Sequence, residues 1–512
     1  MARPAAQPPR ERSLLGRARP LLVARFLTAL ITIVLPMVLT RILDPAAFGT
    51  YKQVWLVAST LLLTVPMGIV QSLYYFVPRE PERRSAFISQ TVAATTLAGA
   101  AAALLVLAAR PAMGRVENPE LAAATPWIAA LTFFLLAGSA LDAAYTSLGR
   151  ITQGALVRAV SDIGRGLAGV VGGLATRSVT GVLAGLTAAT VARALVTWIL
   201  LLRRGEGALP SAALLKRQLA YALPFGAAAL LFVPQQYFHQ YAVAASVSAA
   251  AFAVYSVATF HLAVIDILYT PVSEVLQLGL AEADRRRDRA AGLAMFHEAV
   301  TQLAVLLVPI AALLFAVAPA VVRFLFTDRY LGAVPLMRLS LIALALAALP
   351  LDGVLRAHAQ RRFMVLSSAA KLLLTVPTVL LGLRLAGVAG ALAAWLAVEW
   401  VVRLAQLVRA GRLFGAAPRR LLPWKKLAVI ALSAALAGPV AAFTLRVCPG
   451  PMLARLVAAG LAFAVVYGAL VLAGGAAPLK LAARSAMRFN AAAWRRLLPR
   501  PAPPRSPPPA AS

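Results

Sequence analysis

Charged side chains that interrupt long apolar runs are the residues of this sequence best suited to chemistry. The basic residues in such surroundings are Arg25, Arg165, Arg193 and Lys371. A guanidinium group stays charged in a protein and forms paired hydrogen bonds to phosphate oxygens. The four residues are therefore candidates for binding a pyrophosphate or another anionic group. Arg25 is the strongest candidate, because no acidic residue lies within two helical turns of it.

Acidic residues in the same surroundings support two interpretations. Asp266 and Glu274 are eight residues apart, so they share a helical face and could carry a coupling ion; the alternative is a partly hydrated polar contact. Charges of opposite sign could also neutralise one another between helices and only fix their packing. The pairs that fit this second interpretation are Asp142–Arg193, Asp162–Arg165 and Lys371–Glu399.

Several other kinds of chemistry are excluded by the sequence. The single cysteine, Cys448, cannot form a disulfide framework or a cysteine-based metal site, and the four histidines are scattered. There is no Gly-Lys-Ser/Thr phosphate loop, so we expect no ATP hydrolysis by this chain. We therefore predict no catalytic residue, no metal and no cofactor.

The elements that would position these residues are membrane-spanning helices. The 512 residues are 61% hydrophobic and only 13% charged, which excludes a water-soluble enzyme. Runs of about 20 apolar residues, enough to cross a bilayer as a helix, recur along the chain. We predict an all-α polytopic membrane protein with fourteen spans, at 21–42, 53–76, 87–109, 123–147, 155–175, 182–202, 222–245, 256–280, 293–318, 336–355, 363–382, 388–409, 428–447 and 453–473.

The distribution of basic residues predicts the orientation of these spans. With the N-terminus in the cytoplasm, and with span ends counted with their loops, cytoplasmic segments carry 34 Lys and Arg and the opposite side carries 10. Such a bias is typical of cytoplasmic loops, so both termini are predicted to be cytoplasmic. The net charge of +32 then reflects topology and attraction to anionic lipids, and we expect no nucleic-acid partner.

An internal repeat predicts the domain organisation. Residues 44–51 resemble residues 248–255, with Phe48 matching Phe252 and Tyr51 matching Tyr255 at an offset of 204. Six spans separate the copies, so the repeats have the same orientation. We predict two six-helix lobes, 21–202 and 222–409, joined by a linker at 203–221. The remaining segments are a basic N-terminal tail at 1–20, a loop and two helices at 410–473, and a basic Pro-rich tail at 474–512.

Two stretches of the sequence resemble a known family. Residues 41–51 (RILDPAAFGTY) and 322–338 resemble segments of bacterial polysaccharide transporters, which are lipid-linked oligosaccharide flippases of the multidrug/oligosaccharidyl-lipid/polysaccharide (MOP) superfamily. The repeat departs from the family pattern, with Ala253 where glycine is usual and no Asp in span seven. The residues of this chain that match the family motif are Arg41, Phe48, Gly49 and Tyr51.

The resemblance implies a function. It implies a monomeric transporter that moves an undecaprenyl-pyrophosphate-linked oligosaccharide across the bacterial inner membrane by alternating access. The glycan would serve O-antigen, capsule or exopolysaccharide synthesis. The implied partners are membrane lipid, the lipid-linked glycan, and polysaccharide polymerase and export machinery.

Three other functions compete with a flippase. A multidrug antiporter of the same superfamily would favour an acidic cavity, but the first lobe is basic while the second is richer in acids. A glycan polymerase, ligase or glycosyltransferase usually has a large periplasmic loop or an acidic catalytic motif, and this sequence has neither. A structural scaffold has no need of buried charges. The flippase is therefore preferred, and the glycan and the energy source (proton, sodium or membrane potential) stay open.

Overall fold

Helices form throughout the described part of this chain, because a helix satisfies its own backbone hydrogen bonds where lipid offers none. The computed structural model describes residues 30–202, 211–260 and 264–474, with side chains from 268 onward in the last range and up to 201 in the first. All regular secondary structure within these ranges is helical, which confirms the all-α prediction.

The described residues form 21 α-helices and two short 3-10 helices, Pro81–Arg83 and Asp328–Tyr330. The α-helices are α1 Leu30–Ile42, α2 Pro45–Thr64, α3 Ile69–Arg79, α4 Arg84–Ala108, α5 Arg110–Met113, α6 Pro119–Ala123, α7 Thr125–Ala137, α8 Leu141–Ser147, α9 Ile151–Thr176, α10 Val179–Leu202, α11 Ala212–Ser246, α12 Ala249–Ala258, α13 Val264–Arg285, α14 Arg289–Phe326, α15 Ala333–Ser340, α16 Ile342–Leu346, α17 Leu351–Ala357, α18 Arg361–Phe414, α19 Pro418–Leu421, α20 Trp424–Val447 and α21 Met452–Ala473.

Ten helical segments of the described chain are long and apolar enough to cross a membrane. Their outward-facing leucines and valines are strongly exposed, as Leu97, Leu373, Leu385 and Val465 are, each with more than 70% of its surface uncovered. Such surfaces are stable only against lipid. The chain is thus a multi-pass membrane protein. Helix occupies most of the described part of every predicted span, with its longest interruptions at 65–68, 138–140 and 347–350, and the count of fourteen spans stays a prediction.

The longest helix, α18, contains a break that divides it into two arms. Ala386 and Gly387 leave the helical conformation, and Gly387 has a φ of 58°, which glycine adopts most easily. A Cβ on Gly382 would lie 2.3 Å from the carbonyl oxygen of Gly390, so the two arms approach closely on either side of the break. The break falls between the spans predicted at 363–382 and 388–409.

The chain divides into two compact units. The first unit comprises Met1–His261, Ala318–Ser340 and Val365–Trp400, and the second comprises Leu262–Val317, Leu341–Met364 and Val401–Ser512. The fully buried core of the first unit includes Leu39, Phe48, Val54, Ile128 and Tyr330, and that of the second includes Leu280, Phe296, Val300, Leu351 and Val354. The lobe boundaries predicted from the repeat stay predictions.

Within each unit, segments predicted to lie on the same side of the membrane contact one another. In the first unit, Arg41 reaches residues 324 and 325, all on the predicted outer side. Arg217 binds Glu80 on the predicted cytoplasmic side, at 2.6 Å. In the second unit, His297 contacts the carbonyl oxygen of Arg420 at 3.0 Å. These contacts agree with the predicted alternation of the spans, while the cytoplasmic location of the termini stays a prediction.

Candidate functional site

Five charged side chains of the first unit form a cluster, which we call the charge cluster. Arg193 of α10 donates from Nη2 to Asp142 Oδ1 of α8 at 2.8 Å, and Arg158 Nε of α9 lies 3.2 Å from Asp142 Oδ2. Asp162 and Arg165, also on α9, lie close enough to interact electrostatically with Arg193. Among these five described side chains, three guanidinium groups share two carboxylates, which is an excess of one positive charge.

Arg193 is held at both ends of its guanidinium group. Its Nε donates to the carbonyl oxygen of Gly138 at 2.9 Å. This carbonyl is available because α7 ends at Ala137 and α8 begins only at Leu141. The Arg193 side chain is only 15% exposed, and that of Asp142 12%. The end of one helix and the start of the next thus fix the direction of a buried positive charge.

Arg165 occupies a different setting in the same cluster. Its Nη2 donates to Asp162 Oδ1 at 3.0 Å, and its guanidinium carbon lies 5.4 Å from the centre of the Trp55 ring. An arginine over an indole face gains from the negative charge of the ring face. Tyr74, which is 48% exposed, lies close to Asp142 and Arg158. The cluster is therefore bordered by two aromatic side chains that the sequence analysis did not select.

All three charge pairs predicted as an alternative to substrate binding are formed. The Asp162–Arg165 pair was predicted to join two helices, which is wrong: both residues lie on α9, and their spacing of three brings them together on one face. Lys371 Nζ lies 2.5 Å from Glu399 Oε2 and connects the two arms of α18. The structure brings Arg165 and Arg193 into one cluster, and it gives Lys371 a carboxylate partner.

The structure describes the other predicted residues only in part. Arg25 lies outside the described residues, and so does the side chain of Asp266, although its backbone belongs to α13. Glu274, on the same helix, is exposed. Asp352 lies 3.5 Å from the hydroxyl of Tyr269 and 4.0 Å from Arg403 in the second unit. Roles for Arg25, Asp266 and Glu274 stay predictions.

The residues of the family motif pack against the segment that follows α14. Arg41 donates from Nη2 to the carbonyl oxygen of Phe324 at 2.5 Å and from Nη1 to that of Leu325 at 2.9 Å, so it caps the end of α14. Phe48 packs edge-on against Tyr330, with ring centres 5.8 Å apart. Burial raises the pKa of Tyr330, so its hydroxyl stays protonated. The two stretches that carry the family resemblance therefore contact each other.

The other two motif residues, Gly49 and Tyr51, also make packing contacts. A Cβ on Gly49 would lie 1.8 Å from the carbonyl oxygen of Ala249, so α2 and α12 pack backbone to backbone. Tyr51 is 4% exposed and belongs to the same core. Ala249 starts the helix that repeats the motif. The two copies of the repeat thus contact each other directly.

Two buried networks of uncharged polar side chains were missed by the sequence analysis. Asn118 Nδ2 donates to Thr50 Oγ1 at 2.9 Å and to Gln53 Oε1 at 2.6 Å. Gln218 Nε2 donates to Ser72 Oγ and Thr91 Oγ1, both at 2.7 Å. Amide side chains carry no charge and occur in many surroundings. The only signal was their position beside or inside apolar runs, where a polar group needs a partner.

Comparison with known proteins identifies the family and the fold. Residues 38–335, more than half of the chain, match the family model described as polysaccharide biosynthesis protein. No curated protein sequence matches the chain. Solved structures resemble it at low identity. The lipid II flippase MurJ, in an inward closed conformation, has a TM-score of 0.64 and 12% identity over 89% of this chain and 99% of that one.

Two further structures share the fold. A multidrug resistance MATE family transporter of the MOP superfamily, facing inward, has a TM-score of 0.59 and 14% identity over 78% of this chain and 98% of that one. A MOP superfamily transporter from Pyrococcus furiosus, described by a reverse polarity of its binding pocket, has a TM-score of 0.54 and 14% identity over 78% and 94%. The chain has the fold of these transporters and belongs to the polysaccharide biosynthesis protein family.

Proposed function

We propose that this protein is a flippase that moves an undecaprenyl-pyrophosphate-linked oligosaccharide across the bacterial inner membrane. The observation that carries the proposal is the excess positive charge of the charge cluster, in which Arg193 is buried and fixed in direction. A buried charge in a membrane protein is expensive, so it is expected where a substrate needs it. A pyrophosphate is the group of such a substrate that most needs a guanidinium.

The two arginines bound to Asp142 suit different tasks. Arg193 is 15% exposed and has both a carbonyl and a carboxylate partner, so it keeps its position. Arg158 is 64% exposed and has a longer contact to Asp142, of 3.2 Å. Arg158 can therefore exchange the carboxylate for a phosphate oxygen while Asp142 stays neutralised by Arg193. Such an exchange binds an anion without leaving a buried charge unpaired.

The comparisons support this assignment at the level of family and fold. The family takes its name from polysaccharide biosynthesis, and MurJ is described as a lipid II flippase. The Pyrococcus furiosus structure is described as having a binding pocket of reversed polarity, so charge at the site differs among proteins with this fold. A basic cluster favours an anionic lipid-linked substrate over a cationic drug.

The mechanism that we propose is alternating access. The head group enters from the cytoplasm, the polyprenyl tail stays in the bilayer, and no covalent bond is made or broken. Trp55 and Tyr74, beside the arginines, offer flat faces against which a sugar ring can pack, and Tyr74 adds a hydroxyl group. Asp266 and Glu274 are proposed to carry the coupling ion. The glycan would be used for O-antigen, capsule or exopolysaccharide.

The test is a translocation assay with purified protein in liposomes that contain a fluorescent undecaprenyl-pyrophosphate oligosaccharide. The fraction that reaches the opposite leaflet is measured for wild type, Arg158→Gln, Arg25→Ala and the double variant Asp142→Asn/Arg193→Gln. The double variant removes the buried pair and leaves without its carboxylate only Arg158, whose side chain is 64% exposed. The matched control is Arg177→Gln, at the end of α9 and outside the cluster. We expect the translocated fraction to fall at least tenfold in Arg158→Gln and in the double variant, and to stay unchanged in Arg177→Gln.

Three results would contradict the proposal in different ways. Absence of flipping by folded wild type with several glycans, with and without an ion gradient, would favour the drug antiporter. Flipping at the wild-type rate by both cluster variants would keep the flippase and discard the charge cluster as its site. An equal loss in Arg177→Gln would show that net charge, and not the cluster, controls the rate.

A further inference from the structure

The second unit contains a cavity that plays no part in the proposed transport. Its volume is about 560 Å³, within the range of small-molecule sites. It lies among α13, the turn that joins α13 to α14, α17 and the end of α18. The lining residues are Leu280, Ala283, Asp284, Arg287, Asp288, Arg289, Gly292, His358 and Phe414.

The cavity has an apolar floor and a charged rim. Leu280 and Phe414 are 0% and 5% exposed and form the floor. The charged residues of the α13–α14 turn are exposed and form the rim. The turn belongs to the segment predicted to face the cytoplasm at the ends of two spans. A ligand with a charged head and an attached hydrocarbon would match both parts of this lining.

The rim charges are of both signs and differ in how they are used. Arg287 and Arg289 line the cavity, and within the described part of the chain neither side chain forms an ion pair or a hydrogen bond. Asp288 accepts from the backbone amide of Ala291 at 2.9 Å, so one of its oxygens is used to cap α14. Asp284 Oδ1 lies 3.7 Å from His358 Nε2, which is too long for a hydrogen bond.

The tautomer of His358 determines which ring nitrogen can accept a hydrogen bond. Its Nδ1 lies 2.9 Å from the carbonyl oxygen of Val354 and donates to it, so a neutral ring has an unprotonated Nε2. That nitrogen and the Asp284 carboxylate then face each other as two acceptors, and a donor between them would satisfy both. The rim therefore offers two guanidinium groups to an anion, and a carboxylate and an imidazole nitrogen to an ammonium group.

We propose that this cavity binds a zwitterionic aminophosphate, as in the head group of phosphatidylethanolamine. The phosphate contacts Arg287 and Arg289, and the ammonium donates to Asp284 and His358. The two carboxylates and two arginines make the rim neutral when His358 is neutral, which disfavours a purely anionic lipid. The site is independent of the flippase proposal, because it belongs to different residues and is measured by binding alone.

The test uses the purified full-length protein and native mass spectrometry of bound lipid. Phosphatidylethanolamine and phosphatidylglycerol are added separately, and soluble phosphoethanolamine is added in a third arm. We expect wild type to retain phosphatidylethanolamine at least fivefold better than phosphatidylglycerol. Arg289→Gln is expected to weaken that retention about tenfold. Asp284→Asn is expected to reverse the preference, because it removes the ammonium acceptor and leaves the arginines.

The matched control is Arg286→Gln, which removes the same charge from the same turn. Arg286 is bound to Glu282 and does not line the cavity, so retention should not change. An equal loss in Arg286→Gln and Arg289→Gln would overturn the site in favour of general attraction. Retention of phosphatidylglycerol equal to that of phosphatidylethanolamine would also overturn it. Tight binding of soluble phosphoethanolamine would support the zwitterion site and assign it to a soluble ligand instead of a lipid.

The gain of phosphatidylglycerol binding by Asp284→Asn keeps the proposal testable if Arg289→Gln fails to fold. A misfolded protein does not acquire a new lipid preference. Circular dichroism and gel filtration of each variant establish that the fold is retained. If Asp284→Asn folds and keeps the wild-type preference, the assignment of the ammonium position is wrong.

Discussion

The charge cluster of the first unit and the cavity rim of the second contain similar side chains in opposite settings. In the cluster, Arg193 and Asp142 are 15% and 12% exposed and hold each other at 2.8 Å. In the rim, Asp284 is 56% exposed and 3.7 Å from its neighbour. Burial makes each cluster charge depend on its partners, whereas water shields each rim charge. The same residue types are thus expected to matter for stability in one place and for ligand binding in the other.

The strongest test of this difference is Asp142→Asn. The substitution leaves Arg193 and Arg158 without the carboxylate that they share, and breaking a buried pair costs about 3–5 kcal/mol. We expect the apparent melting temperature in detergent to fall by many degrees. Asp284→Asn, the same change at the rim, should leave it unchanged. Equal falls in melting temperature for the two substitutions would show that the cluster charges matter no more for stability than the rim charges do.

Gly49→Ala tests whether tight packing in the first unit contributes as much to stability as the buried charge pair does. The new methyl group would lie 1.8 Å from the carbonyl oxygen of Ala249, so α2 and α12 must separate. Overpacking of this kind destabilises by about 1–3 kcal/mol. Gly460→Ala is the control, since a Cβ there meets nothing within 4 Å. Melting in detergent measures both, and similar values for the two would refute the close contact.

Arg193→Lys distinguishes charge from geometry within the cluster. Lysine keeps the positive charge, but a single ammonium cannot reproduce the fork that reaches both Gly138 and Asp142. The loss of one hydrogen bond predicts a destabilisation of about 1–1.5 kcal/mol. The translocation assay should show a larger loss than melting does, because the direction of the charge is what the substrate needs. Full activity of this variant would show that charge alone is sufficient.

The smallest effect is expected from Glu282→Gln, next to the rim, where the side chain is 43% exposed. Hydrogen bonds from Arg285 and Arg286 lower the pKa of Glu282, so the charged carboxylate favours the folded state above its ordinary pKa. That contribution is lost as the pH falls through the lowered pKa. Any difference in melting between variant and wild type should therefore be small at pH 7 and should vanish in acid or in high salt.

The sequence predicted the ion pairs better than it predicted the uncharged hydrogen-bond partners. Arg165 with Asp162 follows from a spacing of three, and an apolar run demands partners for Arg193 and Lys371. Gly138, whose carbonyl fixes Arg193, has no sequence signal, because its role depends on where α7 ends. The contact of Gln218 with Ser72 joins residues 146 positions apart, and only the folded helices bring them together. Contacts within one helix can thus be predicted from the spacing of residues in the sequence, while contacts between distant helices depend on the packed fold.

The contact between Arg41 and the end of α14 has a consequence for the order of biosynthesis. Arg41 and Phe324 are 283 positions apart in the chain. At a synthesis rate of about 5–20 residues per second, Arg41 waits roughly 15–60 s for its carbonyl partners to be made. During that delay its own helix offers the Met37 carbonyl oxygen, which Nη1 also reaches at 2.5 Å. A nascent chain stopped before residue 324 would therefore leave the guanidinium group of Arg41 with the Met37 carbonyl oxygen of its own helix as its partner.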